Sequence, residues 1–270
     1  MKTTEAIIAT NIKQKEFYNN FKQNFFTKIW SKLRNGLLNK IRKNIGIQDQ
    51  VYLLHKEWFG DLSNKKVLDL GCYLGNYWSL YLAEHSKEYL GIDLSDVAIA
   101  KLNERLKFFP NAKAKAVDFL SADFTEKDYD LIYAYGVLHH FENTDILISK
   151  LNEKLVADGQ IISYDPLETS FPIKIMRALY RPFQSDAAWE WPLTQKSFYQ
   201  YQKSFAIIER RGLLGKSKWM AVLNVLPISE EKKNKIGRQW HHDDWLNSSD
   251  SDRTLFSCMH LTILMQKKRL

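Results

Sequence analysis

The stretch KVLDLGCYLGNYWSLYLAEHSKEYLGIDLS, residues 66–95, decides the fold. An apolar run, Val67, Leu68 and Leu70, carries Asp69 and breaks into Gly71 and Gly75. A helical segment from Tyr77 to Glu84 follows, and a second apolar run ends in Asp93. Strand, glycine turn, helix, strand and acidic end make half of a nucleotide-binding βαβ unit. Glycine allows a tight turn and a close backbone approach to a ligand that a Cβ would block. Free N–H groups at the start of the next helix favour an anionic group nearby. Asp93, at a strand end, can offer two carboxylate oxygens to a ribose diol. The dinucleotide pattern G-x-G-x-x-G is not met, because Tyr73 stands where the middle glycine would be. A diphosphate would also be repelled by Asp69, whereas a ligand with an ammonium and a sulfonium would not.

The nine residues VLDLGCYLG, 67–75, resemble the first motif of the class I S-adenosylmethionine-dependent methyltransferases. The resemblance extends through residue 165. By it, Asp93 maps onto the acid that binds the ribose, with Leu94 beside it. Asp118 and Phe119, closing the third strand, map onto the pair that reads the adenine. The segment Tyr135-Gly136-Val137-Leu138-His139-His140 maps onto the end of strand four. It implies S-adenosylmethionine as cofactor, S-adenosylhomocysteine as product, and a site built from Asp69, Gly71, Cys72, Tyr73, Gly75, Asp93, Leu94, Asp118, Phe119 and Tyr135. Methyl transfer is an in-line displacement that needs an aligned acceptor and the removal of one proton. His139 or His140 is the candidate base, one facing the site while the other packs, and Asp165 could orient a histidine or accept a substrate hydrogen bond. The other reading makes both histidines mere helix-start residues and Asp165 a turn residue.

Around this core the chain alternates short apolar strands with helices. Strands are expected at Val67–Leu70, Tyr89–Ile92, Ala112–Val117, Asp128–Tyr135 and Gln160–Tyr164, the last after an Asp158-Gly159 turn. Ser95 reads as the N-cap of a helix from Val97 to Leu106, and another helix is expected from about Asp145 to Leu155. Phe205–Gly212 and Phe256–Gln266 would add an antiparallel edge pair, with helices near Lys218–Val225 and Glu230–Trp245 between them. The fold expected is an α/β, Rossmann-like, seven-stranded and mostly parallel sheet with helices on both faces. The chain then divides into a basic helical extension or lid (1–62), a cofactor-binding core (63–166), a cap (167–203) and a C-terminal part of the sheet (204–270). The cap holds Trp189, Glu190 and Trp191, either an aromatic cage or simple packing. Four of the six prolines fall between positions 166 and 192, where the regular alternation stops.

The net charge of +8 is confined to the extension. Residues 1–66 hold 13 Lys and Arg against 5 Asp and Glu, and the other 204 residues hold 26 of each sign, so the basicity says little about the site. Residues 16–45 carry apolar side chains about every fourth position with lysines and arginines between them. That pattern suits a helix packed as a lid or one resting on an anionic surface, and Asn35-Gly36 would bend or break it.

No apolar run is long enough to span a bilayer, and the first residues lack a leader's apolar core. Two cysteines, Cys72 and Cys258, form neither a disulfide framework nor a metal spacing. A cytoplasmic protein without a metal site is expected. The run His241-His242-Asp243-Asp244 invites a metal reading, but adjacent helical side chains diverge by about 100°. A surface cluster, or His242 or Asp244 beside an acceptor, remains open. No [DN]-P-P-[YFW] follows strand four, which argues against nucleic-acid bases, and no Pro-Cys nucleophile follows it either. These readings favour O-methylation of a small natural-product, sugar or lipid-like molecule by a monomer or homodimer. N- or C-methylation, an RNA or membrane-lipid acceptor reached through the basic helix, and a non-catalytic cofactor-binding module are the rivals.

Overall fold

The computed structural model describes residues 4–20, 25–184 and 187–269. In chain order the elements are α1 (Thr4–Asn20), α2 (Phe25–Ile45), α3 (Ile47–Phe59), β1 (Lys66–Leu70), α4 (Tyr77–His85), β2 (Glu88–Asp93), α5 (Asp96–Leu106), β3 (Ala112–Ala116), β4 (Tyr129–Tyr135), α6 (Thr144–Lys154), β5 (Leu155–Pro166), α7 (Phe171–Tyr180), α8 (Gln195–Ser204), β6 (Phe205–Leu213), α9 (Met220–Leu223), α10 (Glu230–Asn247), α11 (Asp252–Leu255) and β7 (His260–Lys267). The strands form one sheet in the order β3-β2-β1-β4-β5-β7-β6. The pairs from β3 through β5 are parallel, and β7 runs antiparallel to both β5 and β6. That is the expected fold, with the topological reversal at β1, where β2 leaves on one side and β4 on the other.

Strand β1 reads as a nearly unbroken apolar run because both its faces are covered. Val67 points into a core built with Phe59, Trp78, Leu82 and Leu102, and Leu68 and Leu70 point into another built with Leu147, Phe198 and Leu255. Ser95 caps α5 by accepting from Ala98 N at 3.1 Å, as its position suggested. Asn76 caps α4 in a reciprocal box with Ser79.

Several boundaries depart from the sequence pattern. Helix α2 runs unbroken through Asn35-Gly36; an exposed glycine in a helix costs only about 1 kcal/mol, and nothing there demands a turn. The break comes at Gly46, which takes φ +74° and starts α3. Ile41 and Ile45 are buried, while the side chains of Ile29, Trp30, Leu33 and Leu37 lie outside the described residues. Strand β5 begins at Leu155 instead of Gln160: Tyr129 pairs with Leu155 and Leu131 with Gln160, so Asp158, at φ +62°, and Gly159 form an irregularity inside the strand. Strand β7 starts at His260 instead of Phe256, because Ser251 caps the short helix α11 just before it.

The N-terminal helices are tied to the sheet. His55 of α3 is fully buried between Tyr133 and Thr262. Thr262 donates its hydroxyl proton to Ser163 O at 2.9 Å, so it accepts from His55 Nε2–H, and His55 Nδ1 is left to accept from Tyr133. Burial pushes the pKa of this histidine down to about 3 and holds it neutral.

Candidate active site

A cavity of about 720 Å³ opens at the carboxyl ends of β1, β2 and β4, where ligands bind in such sheets. Of the residues expected to hold the cofactor, Gly71, Tyr73, Asp93, Leu94, Asp118, Phe119 and Tyr135 border it. Asp93 is fixed by two backbone N–H groups: Tyr73 N donates to Oδ2 at 3.1 Å and Ser95 N to Oδ1 at 2.9 Å. Burial raises its pKa, opposed by those same hydrogen bonds. A carboxylate has about four acceptor positions, so two remain for a diol, and in this respect the residues fit an adenosyl ribose.

The turn between β1 and α4 keeps a glycine-like backbone without its middle glycine. Tyr73 itself takes the left-handed conformation, at φ +46°, and its N–H is spent on Asp93. Gly71, at φ +70°, is required for a reason the motif did not disclose: a Cβ there would lie 2.4 Å from Val137 Cγ2, in the loop after β4. Gly75 likewise faces Leu102 of α5, 2.6 Å from where its Cβ would be.

Three expected cofactor residues stand behind the cavity wall. Asp69 is buried and accepts from Tyr89 Oη at 2.8 Å. Burial pushes its pKa up to about 6. Cys72 is buried against Gly91, and Gly75 packs on α5. Burial of a side chain in the second layer is not visible in a motif, which records only spacing.

The geometry divides the histidine pair. His140 borders the cavity and His139 does not. His140 Nδ1 lies 2.8 Å from Trp189 O; a carbonyl only accepts, so Nδ1 carries the proton and Nε2 keeps its lone pair. That lone pair faces Tyr18 Oη at 3.3 Å. Burial, with His139 adjacent, lowers the His140 pKa to about 3. His139 is nearly buried, and its Nδ1 lies 2.8 Å from Asp165 Oδ1, which makes it the donor. Asp165 is wholly buried and also accepts from His139 N at 3.2 Å. The two imidazole centres are 4.1 Å apart.

Other groups were missed by sequence reasoning because they come from remote elements. Thr10, Asn11, Gln14 and Tyr18 of α1 border the cavity. Asn11 Nδ2 donates to Asp118 Oδ2 at 2.5 Å, Asn19 bonds both Ser95 and Asp96, and Lys15 pairs with Asp96 at 2.8 Å. Trp191 closes another wall, while Trp189 packs on Phe17 with ring centres 5.2 Å apart. Glu190 lies outside the cavity and accepts from Gln184 at 2.5 Å, so the three residues form no cage around it. The run at 241–244 is placed elsewhere too. His241 Nε2 bonds Gln50, and Asp244 accepts from Ser217 N and Oγ and from Lys216 N. Neither His242 nor Asp244 borders the cavity, and no group of metal-ligating side chains occurs among the described residues. No described helix is long and apolar enough to cross a membrane.

Residues 68–161 match a methyltransferase domain, and the order of the strands fits its class I members. Residues 68–161 thus form a methyltransferase domain of the class I, S-adenosylmethionine-dependent kind. An uncharacterised protein of Haemophilus influenzae is 29% identical over 147 residues, 52% of this chain and 55% of that one. A carboxy-S-adenosyl-L-methionine synthase of Helicobacter pylori is 28% identical over 99 residues, 36% of this chain and 41% of that protein. The chain thus spans about half the length of the curated relatives it matches. Among solved structures, the N-methyltransferase NodS of Bradyrhizobium japonicum, in complex with S-adenosyl-l-homocysteine, superposes with a TM-score of 0.53 at 15% identity, covering 82% of this chain and 87% of that one. At that identity the likeness is one of fold.

Proposed function

We propose that the protein transfers a methyl group from S-adenosylmethionine to a hydroxyl of a small natural-product, sugar or lipid-like molecule. The observation that carries this reading is that Asp93, Asp118 and His140 border one cavity. Asp93 would hold the ribose diol and Phe119 would pack on the adenine. Asp118 would meet the adenine amino group while still accepting from Asn11. The cofactor, when bound, supplies a methyl carbon already activated by its sulfonium.

His140 does the acceptor's part. With Nδ1–H held by Trp189 O, its ring cannot rotate freely, and Nε2 presents a lone pair to whatever replaces the Tyr18 hydroxyl. An acceptor hydroxyl placed there donates to Nε2, which orients its oxygen and takes its proton as the new C–O bond forms. The low pKa makes this a weak base, which suffices where the electrophile is a sulfonium and the proton becomes acidic only as bonding proceeds. His139 and Asp165, joined behind it, position the loop after β4. The Helicobacter pylori relative aligns over only 99 residues, so its name does not identify the acceptor.

Calorimetric titration with S-adenosylmethionine and S-adenosylhomocysteine, with NAD as control, tests the cofactor half. Micromolar binding of the first two and none of NAD is expected. Asp93→Ala should weaken binding by about 1–3 kcal/mol, the range for hydrogen bonds to a charged group. An unchanged affinity in that variant removes the ribose assignment. Screening hydroxylated acceptors for a mass gain of one methyl group then tests the rest, and transfer confined to amines would replace the hydroxyl reading.

A further inference from the structure

We propose that the face formed by α7 and the segment from Lys216 to Ile228 docks the protein on an anionic lipid bilayer. Helix α7 turns Ile173 inward and leaves Phe171, Ile175 and Leu179 in water, with Phe171 73% and Leu179 72% exposed. Residues spaced by four share one side of a helix, so these three form a stripe that the succeeding turn, Arg181–Phe183, extends to the exposed Phe183. Lys174 lies about 100° around the helix from the middle of that stripe, and the exposed Lys174 and Arg181 flank it with positive charge. Burying such side chains is favourable, and a folded monomer rarely leaves so many together in water.

The second segment adjoins the first. Lys218 Nζ donates to Ser257 O at 2.6 Å and lies 3.4 Å from Oγ of Ser170, the residue that precedes α7. From Lys218 the chain presents Trp219, Val222, Val225 and Leu226, with Val225 80% exposed. Helix α9 in this segment packs against α2. Charge selects the occupant. Residues 171–183 and 216–228 contain five Lys and Arg and no Asp or Glu. Such a face repels a second copy of itself. A nucleic acid would satisfy the cations and leave the aliphatic and aromatic side chains in water. A bilayer with anionic headgroups satisfies both, apolar side chains entering the acyl boundary while Lys and Arg reach the headgroups. The inference does not depend on which acceptor is methylated.

The test is co-sedimentation of the full chain with vesicles of phosphatidylcholine alone and of phosphatidylcholine mixed with phosphatidylglycerol. Binding to the mixed vesicles, weakened by salt and by omission of the anionic lipid, is expected. The exposed double change Phe171→Glu and Leu179→Glu should lower it by about tenfold or more. The uncharged pair Phe171→Ser and Leu179→Ser should also lower it, with circular dichroism and cofactor binding unchanged in both. Failure of the wild type to bind either vesicle, equal binding to both lipid compositions, or full binding by both double variants overturns the proposal. So does binding to RNA that both double variants retain in the absence of any vesicle binding.

Discussion

Two side chains with the same name behave differently here because their hydrogen bonds differ. His140 Nδ1 is committed to a carbonyl and His139 Nδ1 to a buried carboxylate, and of the two rings only His140 borders the cavity, so only its Nε2 lone pair is presented there. His140→Ala is expected to slow single-turnover methyl transfer by about 10²–10⁴-fold, the usual worth of a positioned base. His139→Ala should act through position, raising KM or lowering kcat less. A histidine whose pKa is depressed to about 3 stays unprotonated at every pH above that value. The wild-type rate should therefore show no acid limb near 6.5; a limb there would assign the titration to a different group.

At the scale of elements, α1 is held to α5 by light contacts. Lys15 and Asp96 form an exposed ion pair, which is worth about 0–1 kcal/mol, and Asn19 adds hydrogen bonds to Ser95 and Asp96 at 2.6 and 2.7 Å. Such a latch opens at small cost, and a helix that covers a cofactor sets its rate of release. The double variant Lys15→Ala and Asn19→Ala touches no residue of the cavity wall. It is expected to speed S-adenosylhomocysteine dissociation by roughly tenfold, the effect of losing 1–2 kcal/mol, as stopped-flow displacement would show. An unchanged rate would mean that α1 does not gate the site. Helix α3 is different in kind: Phe59 is fully buried against Trp78 and Tyr133, so it belongs to the sheet's own core.

For the whole molecule, buried histidine makes stability depend on pH. His55 has a folded pKa of about 3 against 6.5 unfolded. Between those values the unfolded chain binds the extra proton, so the stability His55 contributes is present above 6.5 and is lost as pH falls toward 3. By pH 5 the loss from this group approaches about 2 kcal/mol. Asp69, raised to about 6 by burial, acts in the opposite direction: its contribution is present below its unfolded value of 3.8 and is lost as pH rises through about 6. His140, also lowered to about 3 by burial, acts as His55 does, so urea unfolding midpoints are expected to fall from pH 7 to pH 5, with a smaller fall in His55→Phe. An equal fall in that variant would place the dependence in other groups.

The family and the sheet were legible in the sequence because they rest on local rules. An apolar run covered on both faces, a glycine turn and an acid at the end of a strand are each specified within about 30 residues. Asp93 could be placed from its spacing, and Asp118 and the 135–140 segment from the resemblance to the family. What spacing could not say was depth. Asp69, Cys72 and Gly75 belong to the motif, yet they lie behind the wall because their neighbours come from β2 and α5. The bend expected at Asn35-Gly36 was overridden by helix continuity, and the real break came at Gly46. Tyr18 and Asn11 reached the cavity from more than 100 residues away in the chain. The sequence by itself determined the fold class and the strand ends at which the cavity opens, since both depend on short-range backbone geometry. The tertiary structure decided which histidine faces the cavity and which helix borders it. Those outcomes depend on hydrogen bonds and packing between segments distant in the chain.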